Sequence, residues 1–421
     1  MAQKNINYPD IDKKTYSQYL SGDWKELIKT GKHSLKNDID FYYLQVRMGI
    51  AYYELKKYQK AILFFENARK LNTKDDLIAE YLYYSYLFSG RSSDARKLTK
   101  ELSLKLKAKI GIKVNPIFSA INIGFRTENF ENYKIEPSLS DLLQQNVKKD
   151  YSYFAFGAEH LIKNNQKLSW GYSKVTVNTT MFDIGDSNEQ TDDDWLIKQN
   201  QFYFSYQNQF QYGLNLVLAA NFLNIVSSGG TISSGTPGAG PGGFNNTTAS
   251  YVSNNIIGYF GLQKNISNFK VGINASVSNL YEDFQFQPGI DFTWYPLANT
   301  NLYLSTNASY KIENKNNQWE NEPVIKQAIG FRLLPVYFEP SITFGNISNY
   351  TESNAFIVNN DNDVIKNRFE LLAYAYLFKS KLNLFIKYQN YSKTNTYMLN
   401  EVEHEINYKN QTITGGIKWN F

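Results

Sequence analysis

Two periodicities divide the chain. Up to about residue 110, apolar residues recur every three or four positions, as on one face of a helix. Past Pro116 they alternate with polar residues, as on a pleated strand. One clear run sets Phe284, Phe286, Ile290, Phe292 and Trp294 against Gln285, Gln287, Asp291, Thr293 and Tyr295, and another sets Leu382, Leu384, Ile386 and Tyr388 against Lys381, Asn383, Phe385 and Lys387. The alternation predicts fourteen strands, near 117–127, 151–162, 167–182, 196–208, 212–226, 251–264, 268–280, 283–296, 300–312, 323–334, 336–348, 364–378, 381–392 and 405–421.

The spacing between strands decides how they are arranged. Links after even-numbered strands are short, such as Asn265-Ile266-Ser267 and Leu297-Ala298-Asn299, whereas links after odd-numbered strands are mostly long. An even count with tight turns at one end predicts a closed, antiparallel, up-and-down transmembrane barrel. Residues 1–110 then form an all-α domain at the short-turn end and residues 111–421 the barrel. Three local irregularities stand out. Leu168, Trp170 and Tyr172 share a parity that Val175 and Val177 do not, which predicts a bulge. Pro288 and Pro340 count against the strands that contain them. The first long loop, 128–150, carries Leu142-Leu143-Gln144-Gln145, read as a short helix folding inward as a plug, and the Gly-rich stretch from Ser227 to Ser250 reads as an exposed loop.

Composition agrees with a barrel and excludes a helical membrane protein. The mean hydropathy is -0.46 and no stretch approaches the roughly 18 to 20 apolar residues of a membrane helix. A barrel needs only every second residue to be apolar, and the 16% aromatic content suits its interfaces. With no cysteine, disulfides and thiolate chemistry are excluded. The start, Met1-Ala2-Gln3-Lys4-Asn5, lacks an apolar export segment, so a mature or trimmed form is expected. Charge is uneven: residues 1–115 carry +9 and the remainder -4, within the net +5.

Residues 40–73 place Met48, Gly49, Tyr52, Tyr58, Ala61, Phe65 and Ala68 at offsets that resemble the 34-residue tetratricopeptide repeat, with Gly22 and Trp24 upstream and Tyr86, Gly90 and Ala95 downstream. The small Gly49 and Ala61 allow close helix approach, while Tyr52 and Phe65 fill the space between pairs. The resemblance implies three helix pairs over residues 8–108 and a docking role. Lys56, Lys57, Lys60, Arg69 and Lys70 form either a solvated face or one that meets an acidic partner or lipid head groups. At the other terminus, Thr414, Gly416, Trp419 and Phe421 resemble the C-terminal insertion signal of bacterial outer-membrane barrels. The layout as a whole resembles surface lipoprotein assembly modifiers, the YaiO family and exopolysaccharide exporters. That implies an outer-membrane location with the helical domain in the periplasm, and as partners outer-membrane lipid and a periplasmic or outer-membrane protein, with no nucleic acid.

Alternation places Arg126, Lys270, Lys311, Lys326, Arg332, Arg368, Lys381, Lys387 and Lys418 in the lumen against Glu159, Asp291, Glu339 and Glu370, so the lumen is expected to be net basic. Tyr153, Tyr203, Tyr259, Tyr303, Tyr337, Tyr374 and Tyr376 face the same way. Such a lumen either conducts anionic or sugar-like solutes or is blocked by paired charges and rings. The three histidines, His33, His160 and His404, have no metal spacing, and Asp192-Asp193-Asp194 beside Asp186 and Glu189 is either a calcium loop or a solvated cluster. No catalytic, metal or cofactor site is expected. The functional expectation is a component of an outer-membrane assembly, secretion or export machinery, with a solute or polysaccharide channel as the alternative and an outer-membrane hydrolase as the remote one.

Overall fold

In a computed structural model, residues 7–111, 118–138, 141–163, 165–184, 190–210, 213–234, 245–280, 284–315, 318–361, 363–378 and 380–421 are described. Seven helices precede the sheet among these residues: α1 (Tyr8–Leu20), α2 (Trp24–Lys36), α3 (Tyr42–Glu54), α4 (Tyr58–Leu71), α5 (Asp76–Phe88), α6 (Ser92–Leu98) and α7 (Leu104–Lys109). The starts of α1, α3 and α5 are 34 residues apart, as are those of α2, α4 and α6.

The period extends to the turns. After α1, Gly22 adopts φ +69 and the Asp23 amide donates to the Gln18 carbonyl. After α5, Gly90 adopts φ +76 and the Arg91 amide donates to Tyr86. These are left-handed C-caps, which favour glycine because it has no Cβ. The equivalent turn after α3 has Lys56 at φ +57, with the Lys57 amide donating to Tyr52. Between helices, Met48, Ala61, Phe65 and Ala68 are fully buried and Tyr52 nearly so. A Cβ on Gly49 would lie 2.4 Å from the Phe65 ring, so this contact requires glycine.

The remainder is a closed antiparallel barrel of fourteen strands: β1 (Ala120–Phe130), β2 (Leu143–Lys163), β3 (Gln166–Ile184), β4 (Gln190–Gln209), β5 (Leu214–Ser234), β6 (Asn245–Ile266), β7 (Phe269–Ser278), β8 (Phe284–Trp294), β9 (Leu302–Lys315), β10 (Gln318–Leu333), β11 (Val336–Phe344), β14 (Val364–Leu377), β15 (Leu382–Leu399) and β16 (Val402–Asn420). The two remaining strands, β12 (Tyr350–Glu352) and β13 (Ile357–Asn359), pair only with each other. The seam is the β1–β16 ladder, running from Ala120 opposite Asn420 to Phe130 opposite Asn410. Outward residues form an apolar belt that includes Ile123, Phe156, Phe204, Ile273, Ile329, Phe369 and Ile417, each more than a third exposed.

Four details of the sequence reading change. Strands β2 to β6 run 19 to 22 residues, so Ser227–Ser234 and Asn245–Ser250 are paired strand, and Asp192–Asp194 lie in β4. Pairing satisfies backbone groups that an open loop would leave to water. Second, β3 has no bulge against β4; the register shifts lie in β2, at Lys148/Asp150 and Leu161/Lys163. The parity change at Val175 instead marks where β3 leaves the apolar belt: Leu168, Trp170 and Tyr172 point outward, then Lys174 does, while Val175 and Val177 point inward. Third, Pro288 and Pro340 do sit in strands. Each keeps one neighbour, while the other ladder skips it, between Phe286 and Gly289 in β8–β9 and between Ala328 and Phe331 in β10–β11. Fourth, Leu143-Gln144-Gln145 open β2 and form no helix; their loop contributes the buried Tyr133, stacked on Tyr408 at 4.0 Å. Residues 185–189 and 235–244, with Asp186 and Glu189, lie outside the described residues.

The helical array stands on the short-turn end of the barrel. The Gln59 amide donates to the Ala298 carbonyl, Asn299 Nδ2 to the Lys56 carbonyl, and Gln209 Nε2 to Asp94 Oδ1. Lys56→Gly is expected to stabilise the helical array by about 0.5–1 kcal/mol, since it removes left-handed strain at a residue whose backbone contact persists. Gly49→Val is expected to destabilise it by about 1–3 kcal/mol. Thermal unfolding followed by the helical circular-dichroism signal measures both, and equal transitions in all three proteins would contradict this account of the repeat.

Candidate functional site: the lumen and its internal hairpin

The described residues between β11 and β14, 345–361 and 363, fold into the lumen, and β12–β13 form their hairpin. The segment carries the apolar run Ala355-Phe356-Ile357-Val358, and it places Ile347 and Ala355 at or near full burial. Polar contacts seat it against the far wall: Gln287 Nε2 donates to the Thr351 carbonyl, Ser276 and Thr351 share a hydroxyl hydrogen bond of 2.8 Å, and Asn221 Nδ2 donates to the Ala355 carbonyl. Lys311 Nζ donates to the Ser348 carbonyl.

Ion pairs hold the other side. Arg368 grips Glu352 through two parallel bonds of 2.7 Å, with Arg368 and Glu352 side chains 2% and 12% exposed. This bidentate geometry matches guanidinium to carboxylate. Asp361 pairs with Lys148 and, at 2.7 Å, with Lys393. Asp363 accepts from Asn395 Nδ2 at 2.8 Å and from the Tyr408 hydroxyl at 2.5 Å. Thus the internal hairpin is tied to β2, β14, β15 and β16, strands from both sides of the seam.

Of the lumen residues named from the sequence, Arg126, Lys326, Glu339, Arg368, Glu370, Lys387 and Lys418 line the internal cavity. Arg126 pairs with Glu128 and lies over the Tyr151 and Tyr391 rings. Glu370 meets Lys326 at 3.0 Å and accepts from Gln389. Asp291 accepts from Asn274 and Asn307, and Glu339 from the Tyr303 hydroxyl. Towards the helical array, Glu159 binds Lys418 at 2.8 Å and Lys167 at 3.2 Å, and Arg332 lies over Tyr337, which stacks on Tyr374. Arg96 of α6 approaches Glu159 from outside the barrel: burial pushes the Arg96 guanidinium down, and Glu159 partly offsets this. Gly416 has a packing reason as well, since a Cβ there would meet the Phe385 ring at 2.4 Å.

The basic excess around the cavity is smaller than strand alternation alone gives. A cavity of about 1040 Å³ between hairpin and wall is lined by seven Lys and Arg against six Asp and Glu. Three of those acids, Glu352, Asp361 and Asp363, arrive on the segment that strand alternation could not place inside. The contiguous apolar run Ala355-Phe356-Ile357-Val358 was the available signal.

Outside the lumen little chemistry gathers. His160 faces outward and accepts the Trp170 indole N–H at 2.9 Å, and His404 stacks on Tyr397. Asp194 binds Lys149 and Thr180, and no group of three metal-ligating side chains occurs among the described residues. Of the array's cations, Arg69 is committed to Glu101 at 2.8 Å.

This geometry defines a transmembrane barrel with an internally seated hairpin. No family model matches the chain, and no curated protein matches it in sequence. Among solved structures, it is similar to the Pseudomonas putida toluene transporter TodX (5% identity, 73% of this chain and 91% of that one, TM-score 0.46). It is similar also to a Pseudomonas aeruginosa FadL homologue (9%, 72% and 90%, 0.42) and to the translocator domain of the autotransporter NalP from Neisseria meningitidis (8%, 80% and 99%, 0.33).

Arg368→Met leaves Glu352 buried beside the wall without its cation, which is expected to weaken hairpin seating by about 3 kcal/mol. Proteolysis within residues 349–360 in the folded barrel measures this; the double variant Arg368→Met with Glu352→Gln should recover most of the protection. Equal cleavage rates in all forms would show that the pair does not hold the hairpin.

Proposed function

We propose that the protein is an outer-membrane channel whose lumen is closed by the β12–β13 hairpin, with the helical array in the periplasm. The carrying observation is the cavity itself. A barrel used purely as an anchor would be filled by its own side chains, whereas this one holds about 1040 Å³ beside a hairpin attached by side-chain contacts rather than built into the wall. Displacing that hairpin opens a path without breaking any barrel ladder, so lumen opening leaves the lipid-facing structure intact. Gly416, Trp419 and Phe421 are read as the barrel-insertion signal, and the apolar belt as the lipid contact.

The absence of native cysteine makes a direct trial possible. In Ser276→Cys with Thr351→Cys, oxidation should lock the hairpin to β7 and suppress conductance across a planar bilayer, with recovery of about tenfold or more on reduction. Conductance indifferent to the lock, or absent even when residues 348–360 are replaced by a Gly/Ser linker, would overturn the channel reading.

The 34-residue helix period favours a second role. The array is read as a tetratricopeptide-like module that recruits a periplasmic partner to the short-turn mouth. Affinity purification of the full chain and of Gly49→Val should differ in partner content while both insert; identical partner sets would count against recruitment through this array.

A further inference from the structure

Twice the helical array sets a cation over tyrosine rings and beside a carboxylate. Arg47 lies over the Tyr16 and Tyr43 rings, at 5.1 and 5.7 Å, and binds Asp12 at 2.7 Å. Arg91 lies over the Tyr86 ring at 4.8 Å and binds Asp94 at 2.7 Å. A ring face carries partial negative charge, so ring and carboxylate attract the same cation. In both places the chain supplies all three groups.

The array's largest cluster of rings has a carboxylate and, among the described residues, no cation. Tyr53 on α3 meets Tyr58 of α4 edge-on at 5.3 Å and Tyr81 of α5 edge-on at 4.9 Å, and Phe88 of α5 lies 5.0 Å from Tyr58. Glu54 stands among their hydroxyls: burial first, then the Tyr58 and Tyr81 hydroxyls and the Glu54 carboxylate, push the Tyr53 hydroxyl up to about 12. Glu54 makes no ion pair and no cation lies over these rings among the described residues. The cluster opens to solvent, since Glu54 is exposed and Phe88 is 44% exposed. Leu20, which is 65% exposed, and Phe88 occupy the positions one 34-residue period before and after Glu54, so one row along the array runs apolar, acidic, apolar.

We propose that Tyr53, Glu54, Tyr58, Tyr81 and Phe88 seat an arginine or lysine side chain of a partner protein, whose flanking apolar residues meet Leu20 and Phe88. The seat rests on the recruitment reading of the array and names what the array recognises. A partner cation gains here what Arg47 and Arg91 gain within the chain, whereas an uncharged side chain gains ring contact alone. The apolar flanks favour a peptide segment over a free polyamine, which has nothing to place on Leu20. Tyr58 precedes Gln59, whose amide donates to the Ala298 carbonyl, so a partner seated here is held beside the short-turn rim of the barrel.

The trial uses the full chain in lipid nanodiscs with a single introduced cysteine, Leu87→Cys, carrying a trifluoromethyl tag next to Phe88; the chain has no cysteine of its own to compete. Titration with acetyl-Leu-Arg-Leu-amide, followed by fluorine NMR, should give a saturable shift. Acetyl-Leu-citrulline-Leu-amide, which keeps the shape and loses the charge, should bind about fivefold or more weakly. Glu54→Gln, an exposed change that buries nothing, should bring the two peptides to within about twofold of each other, and Phe88→Ala should weaken both. Absence of saturation, equal affinity of the two peptides for the native sequence, or an undiminished arginine preference in Glu54→Gln would each overturn the proposal. So would an equal shift from a tag at Leu104→Cys on α7, or spermidine binding as tightly as the arginine peptide. An arginine preference combined with identical partner sets for the full chain and Gly49→Val would retain a cation seat and remove recruitment; differing partner sets without the preference would do the reverse.

Discussion

A backbone amide in hydrocarbon has no water to bond with, so every strand in the belt must have a partner on both sides. The β1–β16 ladder meets that demand where the first and last strands of the barrel meet, and eleven residue pairs close it. Much else depends on this closure. It forces strict alternation on each strand, which is why Ile121, Ile123 and Phe125 meet lipid while Asn122, Gly124 and Arg126 line the interior. It also creates an interior whose contents are independent of the membrane.

That independence explains the character of the lumen. Charged groups there are shielded from lipid, and the structure pairs them instead of exposing them: Arg368 with Glu352, Lys148 and Lys393 with Asp361, Lys418 with Glu159. Buried pairs contribute little net stability compared with apolar packing, but they are specific in geometry and costly to break one-sidedly. They are therefore suited to holding a segment in one place while leaving it detachable as a unit. Val175 and Val177 differ from this lining, and their change of parity relative to Leu168, Trp170 and Tyr172 shows that patterning changes along a strand as well as between its faces.

The helical array obeys separate rules. Its close contacts, such as Gly49 against Phe65, are made within the array and owe nothing to the barrel. It nevertheless meets the barrel through turn backbone at Ala298 and Asn299 and through Asp94 with Gln209. These are hydrogen bonds from turn backbone and polar side chains, and Ala298 is buried at the contact.

Fourteen strands, their inward and outward faces and the helical repeat were legible because each depends on a local period that the chain carries within a few residues. Thr414, Gly416 and Lys418 could be assigned to the lumen, and Ile417 and Trp419 to lipid, from parity alone. The plug was misplaced for a physical reason: alternation reports the face of a strand and is silent about where a non-strand segment goes. Whether Tyr133 or Phe356 enters the barrel depends on partners 150 or more residues away, among them Tyr203 for Phe356 and Tyr408 for Tyr133. For the same reason a lumen that reads as basic along its strands becomes nearly neutral, since Glu352, Asp361 and Asp363 enter from outside the periodic pattern. Sequence by itself determined the architecture, because lipid and backbone hydrogen bonding act on short repeating patterns; only tertiary structure decided what fills the barrel, because that rests on pairings between distant side chains.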